Sequence, residues 1–223
     1  MTRLVVVPAM VNAHSHAFQR DLRGAAERPG SPDDDFWSWR TEMFRLAGAR
    51  SVDHLARLHP DDLAPLARSE TAAVLLPGAE FLGAEEIAPG RALADAGAIC
   101  VLGSDCNPGT SPVASIPAIA GLAVRRYGWS VREALLACTL NAAYVLGMAG
   151  ETGSLEVGKR GDLILLDGPA AHLPYRFGRN PVCGVLIAGR PAWVRADSAW
   201  RVSAPASTGQ PGASSHGGGT AWA

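Results

Sequence analysis

Apolar positions along the chain fall into two textures. Short unbroken apolar runs occur at Leu4–Val11, Thr71–Leu76, Ala98–Leu102, Asp162–Leu166 and Gly184–Ala188. These runs predict strands, and Leu4–Val11, rich in β-branched residues without polar alternation, predicts one buried on both faces. A further short strand is expected to end near His54. Between them lie segments with helical spacing: Pro60–Arg68, Glu85–Ala96 with Gly97 as C-terminal cap, Ser115–Tyr127 and Val131–Leu146. Residues 24–35 read as a loop, after which Asp35 is placed to cap a helix over Phe36–Ala47.

Strands alternating with helices at this spacing predict parallel βα units up to about residue 150. Beyond Gly147 the pattern is β, with Gly189-Arg190-Pro191 turning Gly184–Ala188 into Ala192–Val194. The expected organisation is therefore an α/β domain over 1–150, a partial β domain over 151–195 and a tail over 196–223. The Ser, Gly, Pro and Ala content of that tail predicts disorder over Ser203–Ala223.

Composition narrows the function. The 223 residues contain 48% hydrophobic residues, enough for a core, and a net charge of −1 that offers nothing to nucleic acid or an anionic membrane. Cys100, Cys106, Cys138 and Cys183 form no CxxC pair, which argues against a disulfide framework and for the reducing cytoplasm. No run of about 18 apolar residues predicts a membrane span, and no signal-peptide pattern is present.

Two motifs carry chemistry. His14-Ser15-His16 follows the first apolar run, and side chains two apart on an extended strand point the same way, so both imidazoles can grip one metal ion. Asp105 follows another run within Gly103-Ser104-Asp105-Cys106-Asn107-Pro108-Gly109 and can supply a third ligand; outside this context it would be a turn former or helix cap.

These motifs, with Gly153-Ser154-Leu155-Glu156-Val157-Gly158-Lys159-Arg160-Gly161-Asp162-Leu163, resemble the amidohydrolase superfamily. Residues 48–195 are similar to imidazolonepropionases, through Ser51-Val52-Asp53-His54-Leu55, Ala73–Ala79, Asn107–Pro112 and Leu173–Val182. Residues 1–47 resemble formiminoglutamate deiminases instead, through Asn12–Arg20 and Asp35–Arg40. The resemblance implies a (β/α)8 barrel with a small β domain, here an incomplete barrel with strands 1 and 6–8 represented. It implies a Zn2+ or Fe2+ ion on His14, His16 and Asp105, with Asp105 also moving a proton and His54 polarising the bond under attack. His54 is otherwise a surface histidine.

The resemblance also puts Asn107 and Gly109 in contact with substrate, although Asn-Pro-Gly is equally a plain turn. Arg23 takes the place of an arginine for the substrate carboxylate, or is a solvated surface side chain. Cys106 reads as packing, since this chemistry needs no protein nucleophile. The implied reaction opens the ring of 4-imidazolone-5-propanoate to N-formimino-L-glutamate, a small-molecule substrate. The alternatives are a formiminoglutamate deiminase relative and a non-catalytic remnant.

Only the 34 residues Ala17–Arg50 separate the first and sixth strands of the implied barrel, too few for four βα units of about 30 residues each. The His-x-x-Glu motif of the family, which brings a third metal histidine and a glutamate, occurs nowhere in the chain. The expectation is an internally deleted chain with a junction near Ala47-Gly48 and weak or absent turnover. Pairing of two incomplete barrels as a homodimer would be one way to complete the site.

Overall fold

A computed structural model describes residues 4–12, 50–83, 86–107 and 110–198. The expected helix over Phe36–Ala47 and the disordered stretch 203–223 lie outside the described residues. In chain order the elements are β1 (Val5–Pro8), β2 (Ser51–Asp53), α1 (Pro60–Ala67), β3 (Ala72–Leu75), α2 (Pro77–Leu82), α3 (Gly90–Asp95), β4 (Cys100–Leu102), α4 (Ile116–Arg126), α5 (Val131–Ala137), α6 (Leu140–Val145), β5 (Leu163–Leu166), α7 (His172–Tyr175), β6 (Val182–Ile187) and β7 (Arg190–Val194).

The apolar runs Ala72–Leu75 and Cys100–Leu102 are fully buried because both faces are covered. Strands β2, β3 and β4 form a parallel sheet in that order, with Val52 opposite Ala73 and Val74 opposite Val101. Ala73, Leu75 and Leu102 face a core with Leu93, Ile119, Ala123 and Cys138, while Val74, Leu76 and Val101 face the other way, onto Ala142. Alternate side chains of one strand thus serve two cores.

The second sheet is antiparallel, ordered β1-β5-β6-β7. Its first strand corrects the sequence reading. Leu4–Val11 was expected as the first barrel strand, buried on both faces; instead Val5–Pro8 pairs antiparallel with Leu163–Leu166, and Val6 is 44% exposed. Val5–Pro8 is therefore not a strand of the parallel sheet. Pro8, which lacks an N–H, ends the pairing. The chain then crosses to the parallel sheet: Ala9 N donates to Asp162 O (3.1 Å) and Val11 N to Cys138 O (2.9 Å).

Two helices also differ from expectation. The stretch Glu85–Ala96 begins its helix only at Gly90, because Pro89 is better placed as a cap than inside a turn, and a separate helix, α2, precedes it. The expected helix Val131–Leu146 is split after Ala137. Val11 takes up the Cys138 carbonyl, and Thr139 Oγ1 donates back to Leu135 O at 2.7 Å. At the other end of the described chain, the region read as tail from Ala196 starts with a turn in which Ser198 is buried.

Polar groups tie the helices together. Glu80 on α2, only 5% exposed, accepts hydrogen bonds from Tyr127 Oη (2.8 Å) and Ala88 N (3.3 Å). Desolvation raises its pKa above the ordinary carboxylate value, opposed by these two bonds and the nearby Arg126 charge. Burial next to that carboxylate also pushes the Tyr127 phenol up. Tyr127 packs against Trp129, whose Nε1 donates to Gly90 O at 2.9 Å. Arg91 on α3 grips Glu133 on α5 through two bonds of 2.7 and 3.2 Å, and Glu133 also completes a capping box with Ser130.

Gly121 sets how closely α7 approaches α4. A Cβ there would lie 2.5 Å from Pro174 O and 2.8 Å from the Phe177 ring. Pro174 and Phe177, within the Leu173–Val182 stretch, thereby form the contact between the antiparallel sheet's connections and α4.

Candidate active site

The three parallel strands end on one rim, and two of the three candidate residues within the described chain, His54 and Asp105, directly follow strands there. His54 follows β2, its backbone N–H still continuing the ladder to Val74 O (3.0 Å). Asp105 follows β4, after Gly103 N closes the same ladder onto Leu75 O at 3.1 Å. The backbone is left-handed at His54 (φ 69°), Leu55 (φ 63°) and Asp105 (φ 45°). Residues other than glycine are held in this region only where surrounding contacts over-determine them, a feature that gathers at functional sites. With strands about 4.8 Å apart, β2 and β4 put His54 and Asp105 roughly 10 Å apart across the exit of β3.

The loop carrying Asp105 is built around Ser104, which is 2% exposed. Ser104 O accepts from Ser111 Oγ (2.8 Å), and Ser104 Oγ accepts from Cys106 N (3.3 Å) and Asn12 Nδ2 (2.9 Å). Ser104 N donates to Asn12 Oδ1 at 3.2 Å. Gly78, at the exit of β3, makes room for this loop: a Cβ there would meet Ser111 Oγ and Ile119 Cδ1 at 2.8 Å.

Asn107 was expected to contact substrate. Its side chain closes its own loop, with Nδ2 donating to Asp105 O (2.6 Å) and Thr110 Oγ1 (3.0 Å) and Oδ1 accepting from Thr110 N (2.8 Å). In this arrangement it shapes the loop that presents Asp105. Cys106, read as packing, is exposed. His14, His16, Arg23 and Gly109 lie outside the described residues. Among the described residues no three His, Cys, Asp or Glu side chains converge to hold a metal ion. A cavity of about 300 Å³ between Ser115 and the Arg176–Asn180 loop is lined by neither His54 nor Asp105.

Sequence reasoning passed over Asn12, Ser104, Ser111 and Gly78. All four stand within stretches that carry the resemblance, but only a contact between distant segments gives them a role.

The sequence pattern of the amidohydrolase family matches residues 46–199. This chain belongs to the amidohydrolase family. Among amidohydrolases of solved structure, an adenosine deaminase from Xanthomonas campestris with bound zinc superimposes with a TM-score of 0.58 at 22% identity, over 83% of this chain and 44% of that one. An amidohydrolase from Thermotoga maritima gives 0.56 at 21% identity, over 70% and 40% of the two chains. At these identities the likeness establishes the amidohydrolase fold.

Sequence relatives are more specific. An imidazolonepropionase of Herpetosiphon aurantiacus is 46% identical over 145 residues, 64% of this chain and 34% of that protein. That of Deinococcus radiodurans is 45% identical over 150 residues, 67% and 37% of the two. This amidohydrolase spans about a third of the length of the curated relatives it matches. Among the described residues, no helix is long and apolar enough to cross a membrane.

Proposed function

We propose that the chain derives from an imidazolonepropionase and carries part of its site: a metal-dependent hydrolase that opens the cyclic amide of 4-imidazolone-5-propanoate to N-formimino-L-glutamate, with weak turnover. The observation that carries this reading is identity of 45–46% to imidazolonepropionases together with a family match that includes both His54 and Asp105. The match starts at residue 46, beside the junction expected near Ala47-Gly48. That start supports the reading of an incomplete barrel.

Two imidazoles and a carboxylate are a donor set suited to Zn2+ or Fe2+, and three protein ligands are the usual number at a catalytic zinc. His14, His16 and Asp105 would hold the ion. The zinc of the structurally similar adenosine deaminase supports a divalent metal here. When bound, the ion supplies Lewis acidity and brings the pKa of a water from about 15.7 towards 7.

In this reading a water oxygen would bond to the ring carbonyl carbon and the ring C–N bond would break. The Asp105 carboxylate takes a proton from the water and returns it to the departing nitrogen. His54 donates to the oxygen on which negative charge develops. Arg23 pairs with the propanoate carboxylate, and Asn107 with Gly109 lines the approach. A homodimer would supply further wall, and its support is that β2 and β4 have no strand on their outer edges among the described residues. The four cysteines are free thiols, which supports a reducing cytoplasm.

The test is turnover of imidazolonepropanoate by purified, zinc- or iron-loaded protein, with loss on chelation. Turnover of formiminoglutamate alone would replace this reading by a deiminase one, which rests on residues 10–45. A folded protein active on neither would be a non-catalytic remnant.

A further inference from the structure

We propose that the cavity between the start of α4 and the Arg176–Asn180 loop binds a small carboxylate carrying an apolar body, with Arg176 and Asn180 as its anchors. The site is separate from the rim: neither His54 nor Asp105 lines it, and every residue that does lies among the described ones. It gives the Leu173–Val182 stretch a use beyond its contact with α4.

The cavity measures about 300 Å³, at the lower end of the range for small-molecule sites. Pro117 and Ala118 of α4 form one wall, and Leu173 and Phe177 form the facing one. Arg176, Arg179 and Asn180 bring donors, and no carboxylate lines the space. The Arg179 guanidinium is already held by Asp167 at 3.0 Å, a carboxylate that also takes Arg195 at 2.8 Å. Arg176 differs: among the described residues neither its guanidinium nor the Asn180 Nδ2 makes a hydrogen bond or ion pair. Arg125, 5.8 Å from the centre of the Phe177 ring, adds positive charge beside them.

The loop is held in shape by its own bonds. Arg176 N donates to His172 O (3.2 Å), Arg179 N to Arg176 O (3.3 Å), and Val182 N to Asn180 Oδ1 (3.0 Å). The last bond occupies the oxygen of the Asn180 amide and leaves its Nδ2 to donate. Gly178, at φ 82°, makes the left-handed turn that lets residues on both its sides line one cavity. The end of α4 offers an anion little, because Pro117 has no N–H and Ser115 already accepts from Ala118 N (3.4 Å) and Ile119 N (3.0 Å). The negative group therefore meets Arg176, whose planar fork matches a carboxylate through two parallel bonds, while the apolar walls take the rest of the molecule.

The experiment titrates the full chain by calorimetry with 3-phenylpropanoate, with 3-phenylpropan-1-ol, which lacks the charge, and with inorganic phosphate, which lacks the apolar body. Wild type is compared with Arg176→Gln and with Ala118→Leu, which fills the cavity and leaves the charges in place. Wild type should bind phenylpropanoate saturably, with Kd of about 1 mM or below, and the other two compounds at least about 10-fold more weakly. Arg176→Gln should weaken phenylpropanoate about 10- to 100-fold, the range for losing a hydrogen bond to a charged group, and Ala118→Leu should abolish its binding.

No saturable binding by wild type, or unchanged binding in Arg176→Gln, would overturn the proposal. Binding weakened in Arg176→Gln but intact in Ala118→Leu would put the anion outside the cavity and overturn it equally. Phosphate or the alcohol binding as tightly as phenylpropanoate would refute the proposed ligand class. If Ala118→Leu does not fold, Arg176→Gln decides, since it alters an exposed side chain. None of these variants touches His54 or Asp105, so each outcome leaves the imidazolonepropionase reading as it stands.

Discussion

Replacing Tyr127 by phenylalanine removes one hydroxyl from the interior and nothing else. The ring keeps its place on Trp129 and beside Gly90. What changes is Glu80, which loses the bond from Tyr127 Oη to Oε2 (2.8 Å) and keeps only the longer one from Ala88 N (3.3 Å). A hydrogen bond to a charged group contributes about 1.5–3 kcal/mol and one to a neutral group about 1 kcal/mol. The loss should therefore depend on whether Glu80 is ionised.

Its folded pKa is already raised above 4.5 by burial, so its favourable contribution is complete below 4.5 and is lost as pH rises through the folded value. The Tyr127 bond opposes that rise; Tyr127→Phe drives the folded pKa higher and extends the loss. Urea unfolding should show a destabilisation of about 1 kcal/mol near pH 4 growing to about 2 kcal/mol near pH 8, with unchanged m. At the higher pH the melting temperature should drop roughly 4–8 °C. A loss of equal size at both pH values would refute the assignment of Glu80 as the buried, pH-sensitive partner.

Three further substitutions test other contacts. Gly121→Ala places a methyl 2.5 Å from Pro174 O and should cost about 1–3 kcal/mol; adding Phe177→Ala should not restore the melting temperature, because the carbonyl remains, and full rescue would show the contact to be misassigned. Glu133 is held down to about 2 first by its hydrogen bond from Arg91, so its contribution is present above 4.5 and lost as pH falls towards about 2. Gln can keep the cap but not the ion pair, so the gap in melting temperature between wild type and Glu133→Gln should be widest at neutral pH and shrink in acid; a constant gap would contradict this. Asp105→Asn should lower kcat/KM on imidazolonepropanoate at least about 100-fold with an unchanged circular dichroism spectrum, and retained activity would remove Asp105 from the chemistry.

The parallel sheet was legible because the apolar runs that become Ala72–Leu75 and Cys100–Leu102 alternate with helical segments, the spacing of βα units. The rim position of His54 and Asp105 follows from their places just after such runs. Val5–Pro8 misled because an apolar run does not name its partner: pairing with Leu163–Leu166 is a tertiary choice. The break after Ala137 was hidden for a similar reason, since the Cys138 carbonyl is claimed by Val11 from far away in the chain. Asn12 and Ser104 look ordinary alone, and their meaning lies in a contact that periodicity does not encode.

The pairing of β1 with β5 also has a consequence in time. Val5 and Leu166 are 161 residues apart, so at about 5–20 residues per second a ribosome releases the partner of β1 roughly 8–32 s after β1 itself. During that interval Leu4-Val5-Val6-Val7 waits without its sheet, while β2, β3 and β4 can already assemble. Closing so long a loop is slow, which makes docking of the amino-terminal strand, and with it the arrival of Asn12 at Ser104, a late event in the life of each new chain.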